Sequence, residues 1–177
     1  MINLSEQTYR FWQNKLATSS TFRLWWQFWS NYTFIFFVAV FLFYFGHELY
    51  KSLVLHSVVA FIFSRFIVTV LINFFYKKQR PYQKYKFNLI TSKFFSWRTD
   101  EFNSFPSRHS ITFSSVAVVV MFLSFPAGLI LLLATAITGV GRVILGYHWP
   151  VDIVGGLIIG AIVGYITSIL MVSTIFT

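Results

Sequence analysis

An arginine, a histidine and an aspartate lie close together in residues 141–152, which read GRVILGYHWPVD. Pro150 suits the first turn of a helix, where its missing N–H costs no hydrogen bond. Asp152 is then the third helical residue, and its carboxylate can reach back beyond the helix start, as in a capping box. A carboxylate that accepts the proton of one nitrogen of His148 leaves the other nitrogen free to attack or to bind a ligand. Arg142 adds a planar, permanent cation that matches phosphate oxygens.

A second polar cluster stands at the start of an apolar segment, where Ser107, Arg108 and His109 follow Pro106. If Pro106 occupies the first helical turn, the backbone N–H groups of these three residues are unpaired and point at an anion. The alternative is an interfacial helix start with a snorkelling arginine and an incidental histidine. The cluster alone does not separate the two interpretations.

Composition assigns the chain to the integral membrane proteins. It has 177 residues, 56% of them hydrophobic and 21% aromatic, with a mean hydropathy of +0.68, so its apolar surface exceeds what one soluble core of this size would bury. The net charge of +9 is compatible with nucleic acid. The basic residues border apolar segments, however, and a phosphorylated or anionic lipid explains them, so we predict no nucleic-acid partner. The absence of cysteine removes disulfides, thiolate chemistry and Cys-ligated metals.

The apolar segments predict an all-α, polytopic membrane bundle of about five transmembrane helices, preceded by an amphipathic interfacial helix. Residues 1–30 mix aromatic and charged side chains, as is typical of the headgroup region. We therefore divide the chain into an interfacial segment, 1–30, and a transmembrane domain, 31–177. The predicted spans are residues 32–45, 53–75, 111–125, 129–145 and 151–176.

The connections between these spans carry the polar residues. Residues 76–110 are predicted to form an interfacial loop with a short helix near 88–97, and Pro126 with Gly128 to form a tight turn. Glycines at near-helical spacing in the last span would permit close helix packing. They are Gly155, Gly156, Gly160 and Gly164, with Ala161 beside them.

The order of the spans brings the polar clusters to one membrane face. The end of the second span, the start of the third, the end of the fourth and the start of the fifth all lie there, so Arg80, His109 and His148 converge. Each cluster also has a structural interpretation: Arg80-Pro81 as a solvated helix end with its stop signal, and His148 with Asp152 as a structural pair. Convergence favours a common site.

These residues resemble the motifs of the type 2 phosphatidate phosphatase superfamily, which includes bacterial lipid phosphatases and undecaprenyl-diphosphate phosphatases and is related to vanadium haloperoxidases. The family pattern is Lys-x6-Arg-Pro, then Pro-Ser-Gly-His, then Ser-Arg-x5-His-x3-Asp. The resemblance covers residues 73–152. The matching residues are Arg80 and Pro81, then Pro106, Ser107 and His109, then Arg142, His148 and Asp152.

The resemblance implies a membrane lipid phosphatase that works through a phosphohistidine intermediate. By this similarity His148 is the nucleophile, Asp152 its orienting partner and His109 the acid for the leaving group. The same similarity makes Arg80, Ser107 and Arg142 the phosphate ligands. These groups carry the reaction without a metal, so we expect neither a metal nor a cofactor.

The chain departs from the family pattern at three positions. Asn73 replaces the first lysine, and Lys77, one helical turn nearer Arg80, is predicted to supply the missing charge. Arg108 replaces the glycine of the second motif and is predicted to add charge near a diphosphate or an acidic headgroup. Gly141 replaces the serine before the motif arginine, which we expect to matter least.

The sequence leaves the lipid open among undecaprenyl diphosphate, phosphatidylglycerophosphate, phosphatidate and a lipid A phosphate. We favour undecaprenyl diphosphate because the chain is small and has little soluble apparatus for a large sugar headgroup. A lipid phosphotransferase would use the same phosphohistidine, and a non-enzymatic membrane protein would carry the motifs without using them. Arg65 begins a polar stripe along the second span, with either a functional role or a structural pairing.

The side of the membrane on which the site faces is also open. Of the 14 Lys and Arg residues, twelve fall on the face of the site, which by the positive-inside rule is cytoplasmic. Members of the resembled family more often face outward, and these charges have a second use in binding substrate. We therefore predict a bacterial cytoplasmic membrane with the site on its outer face. The oligomeric state has no signal in the sequence.

Overall fold

The computed structural model describes residues 4–44, 47, 49–87 and 103–175, and it is helical in nearly all of them. The helices are α1 Leu4–Thr18, α2 Ser20–Tyr32, α3 Phe34–Phe43, α4 Tyr50–Ile62, a π-helical segment Phe63–Val68, α5 Thr69–Phe75, α6 Pro81–Lys84, α7 Arg108–Leu123, α8 Phe125–Ile144 and α9 Pro150–Ile175. Extended pairing in this part of the chain is limited to an isolated parallel bridge between Lys78 and Asn103. The predicted all-α class is confirmed.

In the described part of the chain, three helices are long and apolar enough to cross a membrane: Tyr50–Phe75, Phe125–Ile144 and Pro150–Leu170. A fourth span is obtained if α2 and α3, which are bent by 50° at their junction, are counted as one. The predicted third span is the shorter apolar helix α7. All five predicted segments are therefore helical, and three or four of them meet the length of a full span.

The first span differs most from its prediction. Helix α2 begins at Ser20, after the N-cap Ser19, whose hydroxyl accepts the Phe22 N–H at 3.3 Å. Residues 20–30 are predicted to lie in the headgroup region, separate from the first span. In the structure they belong to α2, which continues into α3 across the bend at Thr33. The Thr33 and Thr138 hydroxyls are hydrogen-bonded to each other, which ties the bend to α8.

The second span contains a π-helical turn that the apolar pattern does not reveal. The π-helical segment is Phe63–Val68, and Thr69 follows it as the C-cap. The Thr69 hydroxyl donates to the Ser64 carbonyl, five residues earlier, at 2.7 Å. The extra residue in this turn changes the direction of the side chains that follow it. Such turns are frequent at functional sites.

Two prolines lie differently from their predictions. Pro126, expected to mark a tight turn, lies in the first turn of α8, where its missing N–H is not needed, and Ser124 alone separates α7 from α8. Pro106, expected inside the first turn of α7, precedes that helix, because Ser107 is the N-cap and Arg108 the first helical residue.

Glycines bring α7 and α9 into backbone contact, as predicted. A Cβ on Gly160 would lie 2.2 Å from the Ile111 carbonyl oxygen, and one on Gly164 would lie 2.3 Å from that of Ser115. Larger residues would force the helices apart, since real Cβ atoms do not approach so closely. This packing fixes the start of α7 beside the start of α9.

The segment after α5 folds back over the ends of the helices. Helix α5 ends at Phe75, Tyr76 is extended with φ −126° and ψ 103°, and α6 begins at Pro81. The predicted interfacial loop is thus non-helical over most of its described part. The predicted helix near residues 88–97 lies outside the described residues, and the domain boundary at residue 30 stays a prediction.

Candidate active site

The start of α9 positions His148. Helix α9 begins at Pro150, and the Asp152 carboxylate accepts the Trp149 backbone N–H at 2.9 Å, as the capping prediction required. The turn out of α8 passes through Gly146, whose φ of 81° favours glycine. A cap on one side and a tight turn on the other hold the backbone of His148, and its side chain is 2% exposed.

The two ring nitrogens of His148 have different partners, which fixes the tautomer. Nδ1 lies 2.9 Å from the Ser104 carbonyl oxygen, and since a carbonyl only accepts, Nδ1 carries the proton. Nε2 lies 3.3 Å from an Arg80 guanidinium nitrogen, which only donates. The Nε2 lone pair therefore points at the guanidinium of Arg80.

Asp152 acts on His148 less directly than predicted. Its carboxylate lies 3.7 Å from Nδ1, too long for a hydrogen bond, and the backbone of Ser104 takes the expected place. The Ser104 hydroxyl in turn donates to the Asp152 carboxylate at 2.5 Å. Asp152 thus orients His148 through the 104 segment. No pattern in the sequence distinguishes Ser104 from other loop serines.

Burial keeps His148 neutral. It lowers the pKa of His148 from 6.5 to about 4, with Asp152 opposing the shift and Arg80 and Arg142 adding to it. A histidine with this pKa is unprotonated at neutral pH and holds a lone pair for nucleophilic attack.

Lys78, rather than Lys77, reaches the site. The Lys78 ammonium lies 2.6 Å from the fully buried Asp152 carboxylate, whereas the Lys77 side chain is exposed. The prediction for Lys77 assumed a continuous helical turn from Asn73, but α5 ends at Phe75. Lys77 as a phosphate ligand stays a prediction. Asn73, at the position of the family lysine, is buried on α5 with a side-chain oxygen that has no hydrogen-bond donor.

Arg80 lies inside the site and not at a solvated helix end. Its side chain is 7% exposed and donates to the carbonyls of Tyr147 and Asn103, each at 3.2 Å. The Gln83 side chain accepts the Arg80 backbone N–H at 2.9 Å, at the start of the short helix α6. These contacts aim the guanidinium at His148.

Arg142 and His109 form a second pair beside His148. One Arg142 nitrogen lies 2.9 Å from Nε2 of His109 and 3.2 Å from the Ser30 carbonyl of α2. Since arginine only donates, Nε2 of His109 accepts here. The buried Nε of Arg142 has no hydrogen-bond partner. This pair therefore retains an unused donor.

The start of α7 only partly matches the predicted anion site. The Ser107 hydroxyl is the N-cap acceptor for the Ser110 N–H at 3.4 Å, and the Ser107 N–H donates to the Asp152 carbonyl at 3.0 Å. The expectation that this N–H is unpaired was wrong, because α9 packs so closely on α7. Arg108 is half-buried and is the first residue of α7.

The N-terminal helix packs on the His148 loop, which the sequence did not predict. The Tyr9 hydroxyl donates to the His148 carbonyl at 3.1 Å, and Gln13 donates to the Ile144 carbonyl at 3.4 Å. The ring of Tyr9 meets that of Trp149 edge-on, with centroids 5.5 Å apart. Helix α1 thus covers one side of the loop that carries His148.

An apolar groove of about 400 Å³ lies between α3, α4 and α7. Phe61 and Phe113 are among its lining residues. The ring of Phe113 also contacts that of His109, with centroids 5.9 Å apart. The groove therefore begins next to the polar site and continues along the apolar part of the bundle.

Sequence comparison gives the family and two relatives. A sequence model of the PAP2 superfamily matches residues 53–175. Undecaprenyl-diphosphatase BcrC of Bacillus subtilis (strain 168) is 32% identical over 63 residues, covering 36% of this chain and 33% of that protein. Bacitracin transport permease protein BcrC of Bacillus licheniformis is 24% identical over 112 residues, covering 63% and 52%. The chain thus matches between a third and about half of the length of these relatives.

Structure comparison supports the same fold. The crystal structure of Aquifex aeolicus LpxE superimposes with a TM-score of 0.53 and 24% sequence identity, over 83% of each chain. The family match covers most of the chain and includes every residue of the three motifs, so this chain belongs to the PAP2 superfamily.

Proposed function

We propose that the chain is a metal-independent membrane phosphatase that removes the terminal phosphate from a lipid diphosphate of the undecaprenyl diphosphate type through a phosphohistidine at His148. The observation that carries the proposal is the tautomer of His148. Its Nδ1 proton is held by a carbonyl, and its Nε2 lone pair faces a guanidinium. A buried, neutral imidazole beside fixed cations is the arrangement that nucleophilic attack on phosphorus needs.

In the first step, Nε2 of His148 bonds to the terminal phosphorus while the bond to the bridging oxygen breaks. Arg80 and Arg142 stabilise the charge on the equatorial oxygens. Arg142 turns from His109 to the phosphate, and His109 gives the leaving oxygen the proton that it took from water in the preceding turnover.

In the second step, water attacks the phosphohistidine and the phosphorus–nitrogen bond breaks. His109 takes the proton of the water. Inorganic phosphate leaves, and neutral His148 is restored.

The lipid nature of the substrate is supported by the apolar groove beside His109. A hydrocarbon chain in this groove lies against α3 and α4, while its phosphate end lies at the polar site. The BcrC of Bacillus subtilis is named as an undecaprenyl-diphosphatase, and this favours a polyprenyl chain over a diacylglycerol.

Phosphate release by the purified protein tests the proposal. The panel contains undecaprenyl diphosphate, phosphatidate, phosphatidylglycerophosphate and a lipid A phosphate, each with and without a chelator and vanadate. We expect undecaprenyl diphosphate to be the best substrate, activity to survive the chelator, and vanadate to inhibit as a mimic of the phosphoryl transition state. Loss of activity with chelator and recovery with magnesium would contradict metal independence. Transfer of phosphate to an added lipid alcohol would favour the phosphotransferase.

We propose further that the site faces the outer side of the cytoplasmic membrane. Cysteines at Lys86, next to the site, and at Lys51, at the other end of the second span, test this in intact cells. Both positions are exposed. An impermeant thiol reagent should label position 86 and spare position 51. The opposite pattern would place the site in the cytoplasm.

A further inference from the structure

Arg65 is a charged residue inside a membrane span to which the three motifs assign no role. It lies in the π-helical segment of Tyr50–Phe75, and its side chain is half-buried. Within the described residues its guanidinium has neither a hydrogen bond nor an ion pair. A guanidinium at such depth is costly unless something compensates its charge.

The packing of α7 on the second span brings Arg65 toward the site. The Ser115 hydroxyl donates to that of Ser64 at 3.1 Å, so the residue before Arg65 is level with Ser115. His109 lies six residues earlier on α7, about 9 Å along the helix. An extended arginine covers most of that distance. Accordingly, the charge of Arg65 interacts with those of Arg108, His109 and Arg142.

The surroundings of Arg65 contain cations and lack a carboxylate in the described part of the chain. The described acidic residues are Glu6, which pairs with Arg10, and Asp152, which pairs with Lys78. The predicted structural pairing of Arg65 with a buried acid therefore finds no partner among them. An anionic group of the substrate would compensate the charge of Arg65.

We propose that Arg65 binds the phosphate that stays on the lipid when the terminal phosphate moves to His148. The inference rests on the proposed phosphatase function. In an in-line transfer the leaving oxygen lies opposite the nucleophile, on the side of His109. Arg65 lies beyond His109, deeper in the membrane, where the inner phosphate of a lipid diphosphate must pass.

The groove gives the lipid chain a path that begins at the same place. Phe61 lines the groove and lies about one turn before Arg65 on the same span. Phe113 joins the groove to His109. When the bridging bond breaks, its electron pair stays on the lipid monophosphate, and the cation of Arg65 stabilises the added negative charge. Arg65 thereby favours diphosphates over monophosphates.

The test compares a polyprenyl diphosphate with the monophosphate of the same chain length. Arg65→Gln should lower kcat/KM for the diphosphate by about ten- to a hundredfold, as for loss of a charge-assisted contact. For the monophosphate the loss should be about threefold or less. Arg65→Lys should recover part of the diphosphate activity. Lys51→Gln, which removes an exposed charge from the same span, is the matched control and should change neither.

Equal losses on both substrates, or no loss on either, would overturn the inference. The stability of the substrate-free protein separates binding from a structural role. Arg65→Gln should not lower the melting temperature, because it removes a half-buried charge that has no ion-pair partner among the described residues. A clear fall in melting temperature together with equal losses of activity would make Arg65 structural.

A binding measurement keeps this inference separate from the proposed function. Polyprenyl diphosphate is titrated into His148→Ala protein with and without Arg65→Gln. Weaker binding in the double variant supports Arg65 as a phosphate ligand, even if the wild type shows no turnover and the phosphatase function fails. Equal binding by the two proteins overturns the inference, even if the wild type is an active phosphatase.

Discussion

The two sides of His148 differ in how their charges are compensated. On one side, the Asp152 carboxylate accepts from the Lys78 ammonium, the Ser104 hydroxyl and the Trp149 N–H, at 2.5 to 2.9 Å. On the other side, Arg142 donates to His109 and to a carbonyl, and its buried Nε has no partner. We call these the balanced side and the cationic side.

The difference indicates which groups hold the side chains of the site in position and which have donors left to bind a ligand. The balanced side is complete without substrate, so it can hold the ring of His148 before substrate arrives. In the proposed reaction the donors of the cationic side bind the phosphate, and such preorganised cations stabilise a transition state strongly. Changes on the balanced side should therefore affect folding and turnover, whereas changes at the reacting group should affect turnover alone.

The largest effect is expected at His148, the proposed nucleophile, which lies between the two sides. His148→Ala should lower phosphate release at least about a thousandfold, since covalent catalysis is lost. Its melting temperature should stay close to that of the wild type, because His148 lies in a loop between α8 and α9. A rapid quench into alkaline detergent, which preserves the acid-labile phosphorus–nitrogen bond, should trap a labelled phosphoprotein in the wild type and none in the variant. Near-normal turnover by a folded His148→Ala protein would contradict the phosphohistidine mechanism.

Asp152→Asn tests the balanced side. The change removes the charge that Lys78 and the two other donors share, so we expect turnover to fall about thirty- to a hundredfold through misorientation of His148. Stability should fall by about 1–3 kcal/mol, as for a buried donor left without its partner. Kinetics and denaturation of the same preparation measure both. Loss of turnover with unchanged stability would place Asp152 among the reacting groups instead.

Local patterns were sufficient to predict much of this arrangement. Pro150 predicts the start of α9, because a proline suits a first helical turn whatever surrounds it. The helix start in turn predicts the hydrogen bond from the Trp149 N–H to the Asp152 carboxylate. The glycines of α9 predict close packing because their spacing is a property of the helix alone. The helical class likewise follows from runs of apolar residues.

Other parts depend on contacts that the chain makes far from the residue itself. Ser104 and Lys78 lie in irregular segments without periodicity, and their roles arise only when residues 76–80 and 103–107 fold over α9. The predicted role of Lys77 assumes a helix that continues from Asn73, and nothing local reveals that α5 ends at Phe75. The π-helical turn and the reach of Arg65 depend on the register between the second span and α7.

A smaller effect should distinguish the two neighbouring lysines. Lys78→Ala removes the ammonium at 2.6 Å from Asp152 and should lower turnover about tenfold, since the lysine is only partly buried and acts through another group. Lys77→Ala removes an exposed charge and should change turnover less than about twofold. The ratio of kcat/KM values for the two variants measures the difference. A larger effect at position 77 would restore the helical prediction and contradict the ion pair.

The smallest effect is a shift in the acid limb of the pH profile, and it has opposite signs for the two sides. In the proposed mechanism neutral His148 is the reactive form, so activity should fall as the pH drops through its pKa, which burial lowers from 6.5 to about 4. Asp152 raises this pKa and Arg142 lowers it. Asp152→Asn should therefore move the midpoint to lower pH and Arg142→Gln to higher pH, each by about one unit or less. Rates of phosphohistidine formation between about pH 2.5 and pH 8 cover the midpoints, and they can be compared even in slow variants because each profile is scaled to its own plateau. Shifts in the same direction would mean that the two sides do not act on His148 as opposite charges, and the comparison between them would fail.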